Sequence, residues 1–89
     1  MSTPDPAARI LHECAELLEK KGQDYNHGVK RDDYFLYGRT SYMTMIHIKY
    51  LRLRSLIDQE TVNFDSLEDT LKDLINYAAI WHAHEESTK

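Results

Sequence analysis

The chain has 89 residues, 42% hydrophobic and 29% charged, with 11 Lys plus Arg against 15 Asp plus Glu and a formal charge of −4. One domain of this length has a thin core, removing only about 60 to 65% of its unfolded surface from water. The acidic balance argues against general binding to nucleic-acid backbones, and no run approaches the roughly 18 apolar residues needed to span a bilayer.

The pattern predicts a single all-α domain over residues 1–89 with loose ends at about 1–4 and 86–89. Helix one is expected over 5–21, with Asp5 as N-cap and Pro6 at the first helical position, where its missing N–H costs nothing. Ile10, Leu11, Cys14, Leu17 and Leu18 form its apolar stripe, and Gly22 stops it. From Gly22 to about Thr40 the periodicity breaks, and a loop this long is commonly functional. Within it a short helical turn is expected near 33–37. Helix two is expected over 40–58, capped by Thr40 or Ser41, and helix three over 65–85, opened by Asp65 with Glu68 at capping-box spacing. The core face of helix three should be Leu67, Leu71, Leu74, Ile75, Ala78 and Trp81. Ile80 and Tyr77 lie on other sides of that helix, as expected where a further helix or subunit covers it. With so small a core, an oligomeric helical bundle, dimer or larger, is the expected assembly. Cys14 is the single cysteine, so no intrachain disulfide forms. With a start that lacks signal-peptide character, this makes the cytoplasm the expected location.

Lys49 is the most informative residue. Tyr42, Met45, Ile46, Leu53, Leu56 and Ile57 recur at spacings of three and four, and Lys49 falls within roughly 20° of the centre of their arc. A lone ammonium buried there costs about 2 to 7 kcal/mol or more unless a carboxylate or a ligand phosphate answers it. Asp69, Asp73 and Glu13 are the candidate carboxylates, and Arg52, one turn on, could hold phosphate oxygens with Lys49.

Two acidic groups suit a hard cation. Glu13 and Glu16 are about 60° apart on helix one, and Asp69, Asp73 and Asn76 share an arc of roughly 60° on helix three. Such oxygen donors suit Mg²⁺ with water and phosphate in the remaining positions. Solvated helix faces and ordinary interhelical ion pairs produce the same spacings. In the loop, Asp24, Tyr25, Asn26 and His27 could stack a base and read its edge, or could simply close the core and form turns.

Taken together, Cys14, Leu17, Lys20-Lys21, Asp24-Tyr25 and Gly28, then Lys49 with Arg52-Leu53, then Glu68-Asp69-Thr70-Leu71 and Asp73-Leu74-Ile75-Asn76-Tyr77-Ala78, resemble the small phage and bacterial family called nucleotide modification associated domain. That family is similar to the MazG-like all-α nucleoside triphosphate pyrophosphohydrolases. The resemblance covers about residues 10–82. It implies a helical oligomer in which Glu13, Glu16, Asp69 and Asp73 bind Mg²⁺ beside a triphosphate. It also implies that Asp73, Asp69 and Lys49 serve the reaction, with Lys49 on phosphate; together with the residues read above, the expected substrate contacts are Lys49, Arg52, Asp24, Tyr25, His27 and Asn76. Thr70 stands where the hydrolase motif has a second acid. That departure leaves two further readings: a non-catalytic binder that sequesters a nucleotide or a cyclic nucleotide-derived signal, and a helical protein–protein adaptor.

Overall fold

A computed structural model describes residues 3–22 and 30–89, so the loop residues Asp24, Tyr25, Asn26 and His27 lie outside the described part. Among the described residues there are three α-helices, one 3-10 turn and no strand. Helix α1 spans Pro6–Gly22. The Ala7 N–H donates to Asp5 Oδ1 at 2.9 Å, so Asp5 caps the helix as its sequence position predicts.

The short element falls earlier than the expected 33–37. It is a 3-10 turn at Arg31–Tyr34, fastened where the Lys30 N–H donates to Asp33 Oδ2 at 2.8 Å. Asp33 therefore closes the turn from within rather than opening a later one.

Helix α2 spans Arg39–Ile57, and its N-cap is Gly38, not Thr40 or Ser41. Gly38 has φ +56°, a conformation that side-chain-bearing residues rarely adopt. The Ser41 hydroxyl accepts instead from the Tyr37 N–H at 3.0 Å, which draws the preceding turn onto the helix start. Helix α3 spans Phe64–Ser87. Its cap is Asn63, whose side chain accepts from the Ser66 N–H at 3.0 Å. The expected cap, Asp65, sits in the first turn, where its charge still favours the helix dipole.

Helix α3 is central. Helix α2 runs antiparallel to it, with Arg39 paired to Glu85 and Lys49 to Asp73, and α1 packs along another side of α3. Among the described residues the buried side chains are few: Cys14, Tyr42, Leu56, Thr70 and Ile80. Tyr42 stacks between Phe35, with ring centroids 4.3 Å apart, and Trp81 at 6.2 Å. Its hydroxyl donates to Asp32 Oδ1 at 3.2 Å, which fastens the 3-10 turn to the helix pair.

The face of α3 expected to form the core is only partly in it: Leu67, Leu74, Ile75 and Trp81 are half-buried, with Trp81 stacked on Tyr42. Leu71 is 45% exposed, Ala78 is exposed, and Phe64 at the helix start is 70% exposed. Beside the half-buried residues of that face, the helix presents Thr70, Asp73 and Ile80 to its neighbours. The contacts of Tyr42 and Lys49 with Trp81 and Asp73 fix α3 in this rotation. Ile57, assigned by periodicity to the inner stripe of α2, is likewise 61% exposed.

Candidate functional site

Lys49 occupies the α2–α3 seam with its side chain 21% exposed, and its Nζ lies 2.9 Å from Asp73 Oδ2. The pair is half-shielded rather than dry, since the Asp73 side chain is 33% exposed. The expected requirement for a carboxylate is therefore met by Asp73. Arg52, one turn further along α2, is exposed.

Glu13 belongs to a different cluster. Its carboxylate lies 2.6 Å from Arg9 and 3.2 Å from Lys72, whose amine also meets Glu68 at 3.1 Å. The hydrogen bond from Lys72 holds the Glu13 carboxyl below its ordinary pKa, and the hydrogen bonds to Glu68 and then Glu13 hold the Lys72 ammonium above its own. Glu16 and Asp69 are exposed. Among the described residues no three His, Cys, Asp or Glu side chains are grouped so as to hold a metal ion. As arranged, then, the four carboxylates do not fit a shared Mg²⁺: Glu13 is committed to two cations and Asp73 to a third.

Asp73 and Asn76 do share a cavity. It measures about 290 Å³ and is walled by α1, α2, α3 and the 3-10 turn. Leu18, Phe35, Met45 and Ile80 supply apolar wall, Tyr34 and Tyr77 aromatic rings, and Lys21 and Arg31 positive charge. Tyr34 is exposed on the 3-10 turn, whereas Phe35 is stacked on Tyr42 and meets the edge of Tyr77 at 6.3 Å. This is a concave, mostly apolar site with a few convergent polar groups, the usual form of a small-molecule pocket. Two cations without a dense acidic wall suit an anionic ligand.

No family model, curated protein or solved structure matches this chain. The site therefore rests on its own geometry. Of the residues expected to bind substrate or metal, the cavity gathers Asp73 and Asn76, with Lys49 behind Asp73. It does not gather Glu13, Glu16, Asp69 or Arg52. Lys21, Arg31, Tyr34 and Tyr77 were not expected. Tyr77 lies one turn beyond Asp73 on α3, but no spacing rule links Lys21, Arg31 and Tyr34 to Asp73, because the chain brings them there through the 3-10 turn and the last turn of α1.

Among the described residues no helix is long and apolar enough to cross a membrane.

Proposed function

We propose that this protein binds a nucleotide or a nucleotide-derived small molecule in the cavity between its three helices and the 3-10 turn. The observation that carries the reading is the joint presence there of two cations, Lys21 and Arg31, aromatic rings from Tyr34 and Tyr77, and the polar pair Asp73 and Asn76. A phosphate meets the cations, a base lies against a ring, and the carboxylate and amide supply edge contacts to base or sugar. Lys49, 2.9 Å from Asp73, orients that carboxylate across the seam.

The hydrolytic form of this reading adds Mg²⁺ held by Glu13, Glu16, Asp69 and Asp73, so that the protein acts as a nucleoside triphosphate pyrophosphohydrolase. That form requires Glu13 to leave Arg9 and Lys72. Binding requires no such rearrangement, and so a sequestering protein is the reading the geometry supports best. The one thiol, Cys14, fits a cytoplasmic setting, and the small buried core fits a homo-oligomer.

The test is a thermal-stabilisation screen against nucleoside mono-, di- and triphosphates and cyclic nucleotides, each with and without Mg²⁺. At a ligand concentration of about 100 Kd, binding stabilises by about 2.7 kcal/mol, which in a domain of this size raises Tm by at least several degrees. The shift is expected without Mg²⁺ and should be lost in Arg31→Ala and Asn76→Ala. A shift that appears only with Mg²⁺, accompanied by pyrophosphate release that Asp73→Ala abolishes, would instead establish the hydrolase. A screen with no shift at all would remove the nucleotide reading.

A further inference from the structure

We infer that the ligand site continues past the 3-10 turn into a second subsite, so that the ligand is a dinucleotide, two nucleosides joined through phosphate. This rests on the nucleotide reading and adds to it the size and shape of what is bound.

The cavity between the helices has a neighbour. A hollow of about 240 Å³ lies where the 3-10 turn meets the start of α2, and Tyr34, Phe35 and Met45 wall both spaces. These three side chains stand between the two, and Phe35 is fixed there by stacking on Tyr42. At about 290 Å³ the first cavity is at the small end for a small-molecule pocket, roughly 300 to 1,000 Å³. The hollow nearly doubles the space.

The two halves differ in chemistry. Lys21 and Arg31 belong to the first, whereas the second carries no charged side chain. Beyond the shared residues its wall is the ring of Tyr37 and the hydroxyls of Thr40, Ser41 and Thr44. It suits an uncharged planar group that stacks and hydrogen-bonds, which is a second base and not a second phosphate. The turn itself places the phosphate. Arg31 and Tyr34 are its first and last residues, and with three residues per turn they project from the same side. A phosphate held by Arg31 thus lies beside the ring that parts the two halves, where a phosphate joining two nucleosides has to cross.

Tyr37 is the platform of the second subsite. It is 77% exposed, yet its backbone is pinned at both ends. Its N–H donates to Ser41 Oγ at 3.0 Å and its carbonyl accepts from the Thr40 N–H at 3.2 Å, while Gly38 at φ +56° turns the chain into α2. An aromatic residue presented to solvent on a held backbone stacks a base with little further loss of chain freedom.

The test compares, by titration calorimetry on the full chain, the 5′-mononucleotides of the four bases with the corresponding linear homodinucleotides. At least one dinucleotide should bind about tenfold more tightly than its mononucleotide, the increment of one added stacked base. Tyr37→Ala should remove that increment and leave the mononucleotide Kd unchanged, and Tyr37→Phe should retain it. Both variants keep the backbone hydrogen bonds of residue 37, so their Tm without ligand should match that of the wild type. Equal affinity for both ligand sizes, or a dinucleotide preference that survives Tyr37→Ala, overturns the second subsite and leaves the nucleotide reading standing. Binding of neither overturns both.

Discussion

Lys49 interrupts an apolar helix stripe, and the cost of drawing its ammonium from water is offset by Asp73 at 2.9 Å. The sequence made an acidic partner necessary without choosing among Glu13, Asp69 and Asp73. The choice follows from the antiparallel register of α2 and α3, which no local spacing encodes. Tyr42 presents a stronger case of burial. It is fully enclosed, and burial first, with the neighbouring Asp32 carboxylate adding to it, pushes its hydroxyl pKa up to about 12 from an ordinary 10. The folded state thus resists ionisation that the unfolded state accepts. The stabilising contribution is fully present below pH 10 and is lost as the pH rises toward 12. Chemical denaturation across that window should show wild-type stability falling by about 2 to 3 kcal/mol more than that of Tyr42→Phe. Parallel profiles for the two proteins would mean that the hydroxyl is not shielded in this way.

Helix boundaries are set by single residues whose competition a sequence shows only in part. Asn63 and Asp65 are both good caps, and the capping-box spacing of Asp65 with Glu68 favours the second. Asn63 prevails because its backbone is extended at φ −76°, ψ 107°, which aims its side chain at the Ser66 N–H. Asn63→Ala should therefore lower stability by about 1 kcal/mol, and Asp65→Ala by only a few tenths through the helix dipole. Urea unfolding of the two variants checks the order, and a larger loss for Asp65→Ala would return the cap to Asp65. The three helices themselves were legible from their apolar periodicity and from Asp5, Pro6 and Gly22. Their rotation was not: α3 is apolar on more than one side, and periodicity alone favours the seam of Leu67, Leu71 and Leu74 over the face carrying Thr70, Asp73 and Ile80.

At the scale of the whole molecule the same ambiguity divides what sequence could and could not reveal about the site. Lys49 stands out because a charge on an apolar face demands a partner, and Asp73 and Asn76 because they share with Asp69 an arc of α3 that suits a hard cation. Lys21, Arg31 and Tyr34 do not, since nothing local distinguishes them from ordinary surface residues until the 3-10 turn folds over the helix pair. One acidic group also dispersed on folding, as Glu13 turned to Lys72 rather than toward Asp73. The helices are arranged as a layer about α3, and α1 is secured along a single side. Cys14 lies in that joint, 2% exposed, with its thiol pKa raised chiefly by burial. A thiol so placed reacts only when α1 detaches, so its alkylation rate becomes a clock for the opening of that helix. Because Leu18 and Lys21 of the same helix wall the cavity, a ligand bound there should slow the clock, and an alkylation rate unchanged by saturating ligand would show that α1 stays closed independently of the occupant.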